Sequence, residues 1–303
     1  MNVTGFENYI LIWVIIVGLC LGSFFNVVIL RSLSGESIVY PPSKCPKCGS
    51  KLKPWHNIPI LSYLFLRGRC AFCKERISIQ YPIVELLTAL LYGWIFIKYG
   101  MTFNTVFGLF WISCLIIMTV TDIKEKIVEC GYAIAMAISG LLFNFINNGA
   151  IGLKDSFLGV LVGIAILELI ANTGRLFKKG RAMGEADTYV AGAMGAIVGL
   201  HGICHVLLYS LIASMFFVLP FFWYGRYKAK DSMTLFCSAV FVFCIALNII
   251  FSGAYIFAAI LLISGFGLVY FIIKSLRNEE KLIYLPFVPS LALGFLYYLM
   301  FVL

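Results

Sequence analysis

Residues 9–30 read YILIWVIIVGLCLGSFFNVVIL, 22 positions without a single charge. About 20 apolar residues in a helix cross the hydrocarbon core of a bilayer. A helix that is apolar all round belongs in a core or in lipid, so this stretch reads as a membrane span. The rest of the chain repeats the signal. Of 303 residues, 62% are hydrophobic and 12% are charged, with a mean hydropathy of +0.99. Soluble domains run to about 45–50% apolar and about 25% charged, so a water-soluble globular fold is excluded. Further apolar runs occupy 81–97, 104–121, 127–146, 156–173, 188–200, 203–223, 234–251, 254–273 and 283–303. They predict an all-α polytopic membrane protein of about ten transmembrane helices, in which the short 188–200 run merges with a broken or tilted neighbour.

Charge placement orients these helices. With the N-terminus outside, alternate threading puts loops 31–80, 122–126, 174–187, 224–233 and 274–282 on one side, with nine, two, four, three and three Lys plus Arg. The opposite loops hold only Lys98 and Lys154, so 21 of the 23 basic residues share one face. Cytoplasmic loops carry this excess, which places the 31–80 loop in the cytoplasm. The same rule explains the net charge of +9 without nucleic acid. The first run lacks a preceding basic region and a small-residue cleavage site, so it reads as a retained helix anchored by Arg31 and not as a signal peptide. The expected organisation is a first span (1–30), a cytoplasmic cysteine loop (31–80) and a membrane-embedded remainder (81–303) that includes a helical hairpin near 234–273.

Six of the ten cysteines stand singly in apolar helices, where free Cys packs as a small hydrophobe. The other four form a pattern, Cys45-Pro-Lys-Cys48 and Cys70-Ala-Phe-Cys73, two C-x2-C pairs separated by 21 residues in the one long loop. Two intervening residues let both sulfurs turn onto one metal, and Gly49 supplies the backbone freedom for that turn. Two such knuckles make a closed, tetrahedral, structural Zn2+ site. Disulfides or free thiols are the competing interpretation, and disulfides are disfavoured where thiols stay reduced. A loop of this size falls near the lower limit for unaided folding, which gives a metal a structural purpose.

Carboxylates in lipid are costly, so those in or beside apolar helices are functional candidates. They are Glu85, Asp122, Glu129, Glu168 and Asp187. Asp122 closes the third run and Asp187 opens the sixth, at one depth on the cytoplasmic side. Two carboxylates sharing a site hold one proton between them, which suits activation of a water for peptide hydrolysis. Gly184 would allow close approach of backbone to that site. The ordinary alternatives are an interfacial pairing of Asp122 with Lys124 or Lys126, and stabilisation of Asp187 by a helix dipole. Glu85, Arg67 and Arg69 flank the cysteine loop and are candidates for substrate docking; headgroup anchoring is the competing role for the arginines.

Taken together, the segments Gly22-Ser-Phe-Phe-Asn-Val-Val28, Asn57-Ile-Pro59, Leu66-Arg-Gly-Arg-Cys70, Tyr81-Pro-Ile-Val-Glu-Leu-Leu-Thr88, Asp122, Met183-Gly-Glu-Ala-Asp187 and Pro286-Phe-Val-Pro-Ser-Leu-Ala-Leu293 resemble the bifunctional type IV prepilin peptidases. The resemblance implies a multi-pass protein of the bacterial cytoplasmic (inner) membrane. Such a protein removes the short basic leader of type IV prepilins and of pilin-like type II secretion proteins, then methylates the new N-terminus with S-adenosylmethionine. It implies that Asp122 and Asp187 are the catalytic aspartates, that 81–303 is the peptidase core, and that the Cys45–Cys73 loop is tied to methylation. The chain departs from the family pattern at Ala186, where a glycine is usual, at Tyr189 in place of a lysine, and at Val128-Glu-Cys130 in place of Ile-Pro-Asp. The 234–273 hairpin is additional. The rival readings are a proton- or cation-coupled transporter with a zinc-bound regulatory loop, a peptidase-inactive relative, and a zinc-loop docking protein. Acids at the bilayer midplane would favour the transporter, whereas Asp122 and Asp187 are expected at its edge.

Overall fold

The first apolar run becomes α1, Gly5–Ser34, and its partner is decided by small residues. Gly18, Gly22 and Asn26 recur every fourth position and so line one face. Opposite them, α3 (Gln80–Tyr99) offers Gly93, Ala89, Glu85 and Tyr81 at the same interval. A Cβ at Gly18 would stand 2.8 Å from the Ala89 Cα, and one at Gly22 would stand 2.7 Å from the Glu85 Cα. The helices therefore run antiparallel at a separation that only glycine permits, the packing mode typical of helices in lipid. The Asn26 amide extends the seam, donating to the carbonyls of Gly22 and Tyr81 at 3.2 Å each. Gln80 in turn donates to the Asn26 side-chain oxygen at 3.3 Å.

The computed structural model describes residues 5–40, 42–147, 151–177, 184–228, scattered positions between 232 and 243, and 287–302. Within these, the elements after α1 are a short 3-10 helix at Pro54–Asn57, α2 (Leu61–Phe65), α3, α4 (Phe103–Glu125), α5 (Cys130–Asn147), α6 (Leu153–Phe177), α7 (Glu185–Lys228) and α8 (Val288–Phe301). Two isolated antiparallel bridges, Lys44–Lys51 and Arg69–Arg76, are the extended pairings among the described residues. Four helical segments there are long and apolar enough to cross a membrane: Phe6–Ser34, Gln80–Tyr99, Phe103–Glu125 and Glu185–Ser214. Cys130–Ile146 and Val288–Phe301 are shorter apolar helices. The expected runs 188–200 and 203–223 both fall within α7, which is two helical stretches meeting at Gly199, whose φ of 71° and ψ of −173° leave the helical region. Of the expected hairpin, 254–273 lies outside the described residues and 234–251 is described only at scattered positions.

The chain forms two compact units, Met1–Ile164 with Ala186–Cys204, and Ala165–Glu185 with His205–Leu303. In the first, α1 packs on α3 and α4, α3 on α4, and α4 on α5. Its core includes Ile29, Ile95, Ile112, Met118, Met136, Met194 and Ile197, all buried. Asn144 of α5 ties three elements, donating to the Ser156 hydroxyl at 2.7 Å and to the carbonyls of Ala196 and Ile197 at 3.0 and 3.2 Å. That bond set fixes the first half of α7 against α5. In the second unit, Phe295 and Leu291 of α8 are fully buried, and Tyr298 stacks on His205 at 6.2 Å.

Candidate functional site

The cysteine loop is two copies of one turn. In the first copy, the Cys45 N–H donates to the Ser50 carbonyl at 3.0 Å and the Gly49 N–H to the Cys45 carbonyl at 2.9 Å. In the second, Cys70 donates to Glu75 at 2.8 Å and Lys74 to Cys70 at 3.1 Å. Every position is shifted by 25, and the bridges Lys44–Lys51 and Arg69–Arg76 close the two turns alike. Both turns need a left-handed residue just past the second cysteine. Gly49 takes it at φ 70° and Lys74 at φ 60°. Glycine adopts that region freely, while a lysine there is strained, so the second turn conceals its equivalence in sequence.

The turns bring Cys45, Cys48, Cys70 and Cys73 together, with all four sulfurs within 4.8 Å of one another. Cys45 Sγ lies 3.9 Å from Cys73 Sγ. A zinc tetrahedron with bonds of about 2.3 Å has edges of roughly 3.8 Å. The donor set and its spacing therefore fit one such ion, and this is the one metal-type cluster among the described residues. The sulfurs are electrostatically unequal. The Cys48 thiol is lowered to about 6, first by the Ser50 hydroxyl and then by the Ser50 backbone. Cys70 is lowered by the backbone N–H groups of Cys73 and Phe72. Cys73 is raised to about 11: the Glu75 amide lowers it, but desolvation and the sulfurs of Cys70, Cys48 and Cys45 outweigh that. The cluster thus holds a thiolate at neutral pH before any metal arrives.

Glu85 connects this lobe to the membrane helices. It lies in the first turns of α3, 6% exposed. One carboxylate oxygen accepts the Ile60 N–H at 2.7 Å, and the Ser23 hydroxyl of α1 donates to the same group. Ile60 holds φ 59°, a genuine outlier for a β-branched residue. Outliers of this kind persist only where the surroundings over-determine them, and Glu85 is the partner that does so here. Arg67 and Arg69 lie just beyond α2, both exposed, with Arg67 also at positive φ (51°).

Asp122 occupies the last turn of α4, and its carbonyl accepts the N–H of Lys126, which caps the helix in left-handed conformation. Asp187 stands in the first turn of α7, preceded by Gly184 and Ala186. Both belong to the first compact unit, and their exposures are 1% and 3%. Buried acids at the ends of apolar helices are costly in lipid and thus functional candidates. Tyr189 points outward, while Val128 is buried. Sequence reasoning assigned no role to Asn26, which in the fold bridges the α1–α3 seam by hydrogen bonds. Its signal was available: a lone amide in an apolar run, four residues after Gly22.

Two stretches match known families. Residues 16–99 match the bacterial peptidase A24 N-terminal domain, and residues 109–219 match the type IV leader peptidase family. Among curated proteins, the chain is 34% identical over 199 residues to a prepilin leader peptidase/N-methyltransferase of Myxococcus xanthus, covering 66% of this chain and 59% of that protein. It is 32% identical over 224 residues to the protein of that name from Neisseria gonorrhoeae, covering 66% and 78%. It is 31% identical over 227 residues to that from Aeromonas hydrophila, covering 67% and 78%. No solved structure matches the chain.

Proposed function

The chain belongs to the type IV leader peptidase family, and from that premise we propose that it is a membrane-embedded endopeptidase that cleaves prepilin leaders and N-methylates the new N-terminus. One observation carries the reading. The two family segments between them contain both groups of candidate residues, the cysteine lobe and Glu85 in 16–99, and Asp122 and Asp187 in 109–219. Peptidase and methyltransferase names on the relatives favour this over a transporter. The threading of about ten spans, with the lobe and both aspartates on the cytoplasmic face of the bacterial inner membrane, is part of the proposal and rests on the charge asymmetry.

In this reading the prepilin's apolar segment lies in the bilayer and its basic leader in the cytoplasm. One aspartate takes a proton from the attacking water, and the protonated partner donates to the carbonyl oxygen of the scissile peptide. Carboxylates sharing a proton titrate as a pair. Burial of both excludes bulk water and strengthens their interaction with developing charge. Gly184 stands three residues before Asp187 in the chain, and a glycine there would let the backbone of an extended substrate approach closely. Cys45, Cys48, Cys70 and Cys73 would hold one zinc ion, which orders the lobe and leaves no open coordination position for chemistry. S-adenosylmethionine is the donor expected from the resemblance. The described residues offer no glycine-rich strand–loop–helix cradle for it, so no residue is assigned to it and no step is derived through it.

The test is incubation of membranes containing the protein with a prepilin, followed by the mass of the product. A shortened, methylated chain is expected. An unprocessed prepilin, with the protein shown to be folded, overturns the proposal.

A further inference from the structure

The cysteine lobe carries large apolar side chains on its outside. In α2, Leu61, Leu64 and Phe65 all face outward, and Phe65 is 83% exposed. Trp55, 58% exposed, stands edge-on to His56 at 6.0 Å, and His56 stands edge-on to Phe72 at 5.5 Å. Lys53 Nζ lies 5.2 Å from the Trp55 ring centre. Nine Lys and Arg residues against two acids occupy 31–80. Aromatic and aliphatic side chains set among cations are the composition of a segment lying in a membrane interface.

Geometry puts this surface at the right depth. Leu61 follows Ile60, whose N–H is bound to Glu85 at 2.7 Å. Glu85 is five residues into α3, a rise of roughly 7.5 Å along the axis. α2 therefore starts beside the end of a membrane span. From Cys73 to the start of α3 at Gln80 the chain has seven residues, a reach of about 25 Å at full extension. That tether keeps Cys73 within about 25 Å of the start of α3. A basic leader would be repelled by so many cations, whereas an anionic leaflet complements them.

We propose that Trp55, Leu61, Leu64 and Phe65 form a membrane-docking surface that inserts into the anionic lipid leaflet beside α1 and α3. Docking there would hold the metal lobe at the depth where a membrane-bound substrate's N-terminus emerges. It requires neither activity and is tested apart from both.

A benzophenone-bearing phenylalanine is introduced at Phe65 of the full chain, reconstituted in phosphatidylglycerol–phosphatidylethanolamine vesicles and irradiated with prepilin present. The same group at Leu90, outward on α3, is the reference for a lipid-facing position. Lipid adducts from Phe65 within about threefold of the Leu90 yield are expected. Their absence while Leu90 reacts, or adducts to prepilin in place of lipid, overturns the proposal. An independent readout needs no label: brominated acyl chains should quench wild-type fluorescence more than that of Trp55→Phe. Equal absolute quenching would refute insertion of Trp55.

Discussion

Replacing Glu85 with alanine should free the cysteine lobe while leaving the membrane helices folded. The structure supplies the magnitude. The carboxylate accepts the Ile60 N–H at 2.7 Å and the Ser23 hydroxyl. Leaving a buried donor without its acceptor costs about 1–3 kcal/mol. Ile60 is held at φ 59°, a conformation costing roughly 1–3 kcal/mol. That strain is carried by the docked state with or without Glu85, so it explains why the bond is needed but adds nothing to the shift. The shift is therefore about 1–3 kcal/mol, or roughly 5- to 150-fold in the docking equilibrium. The assay is hydrogen exchange of the peptide spanning residues 57–64, in the purified protein with its metal bound. Glu85→Ala should speed exchange there by at least about fivefold, whereas Glu85→Gln keeps an acceptor oxygen and should lose much less. Methylation should fall further than cleavage in both variants. Unchanged exchange in a folded Glu85→Ala protein would refute the tether, and equal loss of both activities in Glu85→Gln would refute its assignment to the methylating lobe.

Asp122→Asn and Asp187→Asn should each abolish prepilin cleavage with helical content and metal retained. The double variant should be little worse than either, because paired groups act as a unit; near-normal cleavage by either single variant would remove the dyad. Purified protein should contain one zinc, and binding at pH 7 should release fewer than four protons, since Cys48, lowered to about 6, is already a thiolate. The sign follows from that lowering: below pH 6 Cys48 holds its proton, so the number released rises towards four and affinity falls, as calorimetry in buffers of differing ionisation heat would record. Gly22→Ala places a methyl 2.7 Å from the Glu85 Cα and 3.0 Å from Thr88 Oγ1. It should destabilise the α1–α3 pair by about 1–3 kcal/mol, seen as an earlier transition in detergent unfolding.

Much of this molecule is local in origin and so legible from the chain alone. Hydropathy identifies the solvent of a segment wherever that segment ends up, which is why α1, α3 and α4 appear close to the runs 9–30, 81–97 and 104–121. Cysteine spacing foretells the four-sulfur cluster almost by itself, because each C-x2-C turn is closed by its own backbone bonds and needs only to meet its twin. Asp122 and Asp187 stand out in the sequence as charges that are costly in lipid, and the fold buries both; their action as a pair belongs to the proposed function. The tertiary structure decided what depends on two distant backbones touching. That Gly18 and Gly22 exist to admit α3, that Asn26 bonds the start of that helix, and that Glu85 holds Ile60 in a strained turn follow from a pairing between residues some 25 to 70 positions apart. Lys74 shows the limit best. Its sequence lacks the glycine that marks the first turn, yet the backbone takes the same left-handed step, closed by the same pair of backbone bonds.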